Sequence, residues 1–277
     1  MTPEQDSTQG LLDLSFHNDN KKTIIHLVSF SGGMGSFAEA VACVKKFGAS
    51  SVQLLFADTN MEDEDLYRFM DECVSYLGVP LTVIKDGRTP FEVFKDVRFM
   101  GNSRVDPCSN LLKREILNKY VKENFSADEV NVHLGIDFSE GHRLDQIRVR
   151  MAPYVYRSTL VEDGLMIDKS YSESFGIKRP RLYDWKLGHN NCGGFCVKAG
   201  LGHYKNLFLA NKNRYLEFEK KEQEVYDCIG EIYPFLRKTE NGNTRYLTLK
   251  QFREEYLEKD LLSKEDSSEF GGCGCAL

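Results

Sequence analysis

Two groups of residues in this 277-residue chain have the types and spacing for chemistry. The first is the run Ser29-Phe-Ser-Gly-Gly-Met-Gly-Ser36, glycines and hydroxyls that follow a short apolar segment. Gly32 and Gly33 are free to take positive φ and turn successive backbone N–H groups toward one point. Ser31 and Ser36 add hydroxyls, and a helix starting at Ser36 adds the positive end of its dipole. That is a nest for a phosphate or sulfate. It is not a Walker A loop, which needs four residues between its glycines and then Gly-Lys-Ser/Thr. It is not the dinucleotide fingerprint either, because Gly35 is followed by Ser-Phe-Ala. The same glycines also suit an ordinary strand-to-helix turn, so the loop alone leaves both readings open.

The second group is the cysteines, of which there are eight. Cys43, Cys73 and Cys228 fall in amphipathic helical patterns and read as core residues. Cys108, Cys192, Cys196, Cys273 and Cys275 sit beside Pro, Gly and Asn in loop-like stretches. Cys192-Gly-Gly-Phe-Cys196 sets two thiols four residues apart around glycines, able to face one centre, although this is not a zinc-ribbon spacing. Cys273-Gly-Cys275 rides on a glycine-rich tail and suits either a metal ligand or a tethered nucleophile. Of the arginines after "GIDFSEGH", Arg148 and Arg150 fit a solvated helix face; Arg143, close to Glu140 and His142, is the candidate for gripping an oxyanion. His142 and His203 read as structural.

The elements that must position these groups follow from periodicity. Residues 23–30, 51–58, 80–85 and 129–137 are apolar, β-branched runs, and helical spacing separates them, with one helix expected over 109–123. Strand and helix alternating at this distance specify an α/β fold, a doubly wound, mostly parallel sheet, followed by a smaller irregular and helical C-terminal part. Ligands of such sheets bind at the carboxyl ends of the strands where their order reverses. Here those ends are "SFSGGMGS", "ADTN" and "GIDFSEGHR". The expected organisation is a leader over 1–20, a nucleotide-binding core over 21–165 and a cysteine-rich, helical region with a tail over 166–277. A long charged helix is expected near 211–231, and "RYLTLKQFREEYLEKD" reads as one more. The net charge of −6 excludes a global basic field for nucleic acid, though not a local basic groove. The polar start "MTPEQDSTQG" and the lack of a long apolar run predict a cytoplasmic protein with no membrane contact.

The loop "SFSGGMGS" together with "FADTNMEDEDLYRF" resembles the PP-loop superfamily of adenine nucleotide alpha-hydrolase-like enzymes, and within it the phosphoadenosine phosphosulfate (PAPS) reductase-like branch. Three further blocks resemble that branch: "PCSNLLKREIL", "GIDFSEGHR" and "NNCGGFCVKAGLGHYKNLF". Together the blocks span residues 24 to 208. The resemblance implies that Ser29, Ser31, Gly32, Gly33, Gly35, Ser36, Gly135 and Arg143 hold the phosphates of ATP or the phosphosulfate of a PAPS-type nucleotide. It implies that Asp58 and Thr59 contact the adenosine, and that Lys113 and Glu140 belong to the catalytic machinery. Many relatives carry Asp where this chain has Gly35, a carboxylate that helps hold Mg²⁺. Asp58, Asp137 or Glu140 is then the substitute, and an Asp restored at 35 is expected to raise Mg²⁺-dependent turnover. The resemblance also joins Cys108 to Cys192 and Cys196, with Cys273 or Cys275, around zinc or an iron–sulfur cluster.

The implied activity is adenylation of a substrate with pyrophosphate release linked to sulfur transfer. The alternatives are a thiol-dependent reductase of PAPS or adenylyl sulfate, and a nucleotide-binding subunit without turnover that needs a partner. The tail "EFGGCGCAL" lacks the leucine and histidine of the reductases' Glu-Cys-Gly-Leu/Ile-His motif. The implied partners are the adenine nucleotide, a sulfur donor or nucleic-acid acceptor at a local basic groove, and a second copy of the chain in a homo-oligomer.

Overall fold

The computed structural model describes residues 23–102, 104–240 and 242–262. Five strands, β1 Ile25–Ser29, β2 Val52–Asp58, β3 Leu81–Lys85, β4 Val130–Leu134 and β5 Val155–Arg157, form one sheet in the order β3-β2-β1-β4-β5. Every neighbouring pair is parallel. The order reverses between β1 and β4, as a doubly wound sheet requires.

Side chains alternate across these strands because successive Cβ atoms point to opposite faces. Val28, Leu54 and Phe56 pack on one face with Phe37 and Phe69; Leu27, Leu55 and Val132 pack on the other with Leu117 and Leu144. Both faces are therefore dry, which is why the strands read as continuous apolar runs. Helices α1 Met34–Phe47 and α2 Glu64–Leu77 cover the first face. Asp63 caps α2 by accepting from the Asp65 N–H at 2.9 Å, and Gly78 ends it in the left-handed region at φ 64°. Helix α3, Pro90–Val97, opens on a reciprocal Thr89–Glu92 capping box.

The helix expected over 109–123 starts earlier, as α4 Pro107–Ser109, passes through a π-helical stretch Asn110–Glu115 and continues as α5 Ile116–Asn124. Helix α6, Gly141–Met151, follows β4, and the short α7, Thr159–Glu162, follows β5. Beyond it lie α8 Arg181–Asp184, α9 Leu201–Ala210 and the long α10 Lys212–Ile229. Phe195, Tyr204, Tyr215, Phe218 and Phe252 form a third core, which also takes in Phe91, Phe94 and Met100 from the first half of the chain.

Three expectations are corrected. "RYL" belongs to a hairpin, β6 Leu236–Glu240 with β7 Asn243–Leu247; only α11, Leu249–Phe252, and a π-helical turn after it are helical. The reason is local: "NTRYL" has a strand's alternation, and Thr248 makes a capping box with Gln251 that starts the helix afresh. Strand β5 was not expected, since three residues are too few to show a period. Cys228, read as core, is exposed, whereas Cys43 and Cys73 are buried. Among the described residues no helix is long and apolar enough to cross a membrane.

Candidate functional site

The glycine run leaves β1 at Ser29 and enters α1 at Met34, two residues before the expected start. No side chain caps α1 at its N-cap, Gly33, so its first turn faces the carboxyl edge of the sheet as a positive helix end. The glycines differ in their reasons. Gly32 sits at φ +72°, and a Cβ there would also press on Leu66 at 3.0 Å. Gly33 has an ordinary extended backbone at φ −88°, ψ 165°, and a Cβ would meet only normal contacts near 3.5 Å. The expectation of positive φ at Gly33 is therefore corrected.

Gly35 is required by a close approach. A Cβ on it would lie 2.6 Å from the Gly135 carbonyl oxygen, and one on Gly135 would lie 2.4 Å from the Ser36 nitrogen. The first turn of α1 rests directly on the backbone leaving β4. Restoring Asp at 35 thus demands that two backbone segments separate, which corrects the expectation that the carboxylate can simply be put back.

A cleft opens over this contact. Ser29, Ser31, Gly33, Gly35 and Ser36 line it from the β1 side, Gly135, Glu140 and Arg143 from the β4 side, and Lys113 from the π-helical stretch. Ser36 Oγ donates to the Gly33 carbonyl at 2.9 Å, and Ser31 Oγ donates to Ser36 Oγ at 3.4 Å, fixing the loop's shape. Glu140 and Arg143 pair at 2.5 Å one helical turn apart. Gly32 contributes its carbonyl, which accepts from Asn190 Nδ2 at 2.8 Å.

That last bond belongs to a segment whose residues before Cys192 had been given no role in the site, although Asn190 and Asn191 open one of the blocks that carry the resemblance. Tyr183, His189, Asn190 and Asn191 form the far wall of the cleft. The Tyr183 hydroxyl accepts from the Met34 N–H at 3.4 Å and donates to Asn190 Oδ1 at 3.4 Å. The available signal was "GHNN" directly before Cys192, polar residues with no helical or strand period.

Asp58 and Thr59 separate. Asp58 Oδ1 accepts from the Asn60 N–H at 2.8 Å and from the Tyr67 hydroxyl at 2.9 Å, an arrangement of the β2 end itself. Thr59 faces a second, small cavity, lined also by Cys108, Cys192, Cys196, Leu112, Lys113 and Phe195. Cys192, Gly193 and Gly194 all have positive φ, and a Cβ on Gly193 would strike the Met61 carbonyl at 2.9 Å. This left-handed run turns the two ends of the Cys-x₃-Cys segment into one cavity.

The segment is anchored at each residue. The buried Glu62 carboxylate accepts from the Cys192 N–H and, at 2.9 Å, from the Thr59 hydroxyl, and it lies 3.7 Å from Lys113 Nζ. His203 Nε2 donates to the Gly194 carbonyl at 2.7 Å, and the Tyr204 hydroxyl bonds both the N–H and the carbonyl of Cys196. Lys113 lines both cavities. Cys273 and Cys275 lie outside the described residues. Arg148 donates to the Tyr156 carbonyl at 3.0 Å, and Arg150 and His142 are exposed on α6, so Arg143 is the residue of this group that reaches the cleft.

Among the described residues, one set of three potential metal-binding atoms lies within 4.8 Å of one another: Glu39, Cys43 and His133. Glu39 is already satisfied. It accepts from His133 Nδ1 at 2.8 Å and from the backbone N–H groups of Thr159 and Leu160 at 2.7 and 3.1 Å. Burial pushes its pKa up, but these bonds overcome it and hold the carboxyl below its ordinary value. Burial and the neighbouring carboxylate push the Cys43 thiol up, so it stays protonated. The set ties α1 to the start of α7, and its hydrogen bonds need no ion.

Comparison with known proteins agrees with the sequence resemblance. Residues 25–150 match the phosphoadenosine phosphosulfate reductase domain. An uncharacterized protein of Methanocaldococcus jannaschii is 25% identical over 130 residues, 47% of this chain and 26% of that one. An uncharacterized nin region protein of Escherichia phage lambda is 28% identical over 147 residues, 44% of this chain and 51% of that one. The chain thus spans about a quarter and about half of the lengths of these curated relatives. Among solved structures, a U34-tRNA thiolase from Methanococcus maripaludis with its [4Fe-4S] cluster aligns at a TM-score of 0.43 and 13% identity, over 80% of this chain and 77% of that one. Residues 25–150 thus match a phosphoadenosine phosphosulfate reductase domain, in line with the resemblance to the PAPS reductase-like branch of the PP-loop superfamily.

Proposed function

We propose that this chain binds an adenine nucleotide with its phosphates over the nest at Ser31–Ser36, and that it adenylates an acceptor with loss of pyrophosphate in preparation for sulfur transfer. The observation that carries this reading is the shared wall. Lys113 lines both the phosphate cleft and the cavity of Cys108, Cys192 and Cys196. An acceptor nucleophile attacks the α-phosphorus, the bond to the bridging oxygen breaks, and pyrophosphate leaves with the electron pair. Lys113, Arg143 and the helix end neutralise the leaving charge. Glu140 is the one of the three candidate carboxylates that lines the cleft, and so the one suited to Mg²⁺.

The thiol cavity suits a metal group held by Cys108, Cys192 and Cys196, with a tail cysteine, Cys273 or Cys275, as a further ligand. Tetrahedral zinc with Zn–S near 2.3 Å needs sulfurs about 3.8 Å apart. Three thiols lining one cavity suit either zinc or an iron–sulfur cluster. Such a group would supply a site for binding or delivering sulfur. The acceptor is a sulfur-donor complex or a nucleic acid, and the exposed Arg148 and Arg150 beside Arg143 give a basic face for the latter.

The close approach of Gly35 to Gly135 favours a second reading, a nucleotide-binding subunit that turns over only with a partner. Pyrophosphate release from ATP by the anaerobically prepared full chain separates the two. Release on addition of acceptor supports adenylation, and binding without release supports the subunit. Sulfite release from PAPS would instead establish the reductase and overturn both.

A further inference from the structure

His189 is a buried group of the cleft whose ring makes no hydrogen bond among the described residues. It is 9% exposed, it lines the phosphate cleft, and among the described residues neither ring nitrogen has a hydrogen-bond partner. Buried polar side chains are paired in the large majority of cases, so a buried imidazole with two open nitrogens marks a place where something else bonds. The ring is also held still. It stacks on His203 with centroids 5.0 Å apart and planes 26° apart, and His203 is pinned through Nε2 to the Gly194 carbonyl. Next to it in the chain, Asn190 is clamped to the Gly32 carbonyl.

We propose that His189 is an anion-binding residue of this cleft, donating a ring N–H to a phosphate oxygen of the nucleotide cradled at Ser31–Ser36. The inference rests on the nucleotide-binding reading above. The helix end, Lys113 and Arg143 face the same cleft, so the group that enters is an anion, with acceptor oxygens. An acceptor selects the imidazole tautomer whose N–H points at it. Burial first, then His203, Lys113 and Lys169, hold the imidazole well below its usual pKa, which keeps it neutral. A neutral donor fixes orientation without adding a third positive charge beside Lys113 and Arg143.

The single tryptophan of the chain gives the readout. Trp185 lies four residues from His189, with the guanidinium groups of Arg181 and Arg214 over its ring at 5.8 and 5.1 Å. Its fluorescence is titrated in the full chain with ATP, inorganic pyrophosphate and adenosine, for the wild type, His189→Leu and His189→Asn. His189→Leu should weaken ATP and pyrophosphate roughly tenfold, the loss expected for one hydrogen bond to a charged group, and leave adenosine unchanged. His189→Asn, which keeps an N–H donor, should recover most of the loss. Equal ATP affinity in wild type and His189→Leu overturns the proposal, as does an equal loss of ATP and adenosine, which would assign His189 a structural role. Should His189→Leu fail to fold, His189→Asn decides: pyrophosphate affinity within about threefold of wild type and unchanged adenosine support the role, and any larger loss shared with adenosine overturns it. Wild type that binds pyrophosphate but no adenine nucleotide refutes the nucleotide reading while leaving the anion contact standing. Wild type that binds neither refutes both.

Discussion

At the scale of single residues, the site is governed by where a side chain is impossible. Gly35 and Gly135 touch backbone to backbone, so any Cβ must push α1 away from the end of β4. Gly35→Ala and Gly35→Asp should each cost about 1–3 kcal/mol, the usual range for forcing atoms into a packed contact. Gly33→Ala, with room around it, should cost well under that. Urea unfolding of the three variants checks the order; Gly35→Asp as stable as wild type, with increased turnover, would mean that the two segments part freely. The same scale applies to the thiols. Anaerobically prepared wild type should contain about one zinc or about four irons per chain, the cluster alone absorbing in the visible, by the stoichiometries usual for such thiolate sites. Cys192→Ser should lose that metal, and Cys43→Ser, in the hydrogen-bonded set with Glu39 and His133, should keep it. Metal-free protein of full stability would remove the metal altogether.

At the scale of elements, one irregular segment does most of the assembling. Residues 181–196 wall the cleft over the glycine loop with Tyr183, His189 and Asn190 and then turn the cysteines into the second cavity. The four long strands and the long helices were legible in the sequence, since burial on both sheet faces or on one helix face leaves a period. This segment has none, because its residues are placed by contacts to Gly32, Glu62 and Met34, distant in the chain. For the same reason Thr59, expected at the adenosine, is found at the thiols: Glu62 holds it there, and no spacing rule encodes that bond. Helix α10 carries a testable feature of its own. Glu222 is buried, with Tyr226 Oη 2.8 Å from one carboxyl oxygen and the Leu249 N–H donating to the other at 2.8 Å. Burial pushes its pKa up to about 8. The folded state therefore holds a proton that the unfolded state has lost, and stability must fall as pH rises from about 4.5 to about 8. The size is at most a few kcal/mol, at about 1.4 per pH unit. Glu222→Gln, offering an N–H to Tyr226 and an oxygen to Leu249, should flatten that fall and be the more stable protein at pH 8. Chemical denaturation across the window measures it, and an unchanged slope in the variant would refute the assignment.

At the scale of the whole molecule, the sheet, the π-helical stretch and the irregular segment meet around Lys113, and the two cavities share it as a wall. The nucleotide is the claim on which the rest depends. Its most direct test is a thermal-unfolding titration of the full chain with ATP, AMP and PAPS, and with a nicotinamide dinucleotide as control. At 100 times its dissociation constant, an adenine nucleotide should add about 2.7 kcal/mol of stability, while the nicotinamide dinucleotide adds none. No response to ATP, AMP or PAPS would contradict the account.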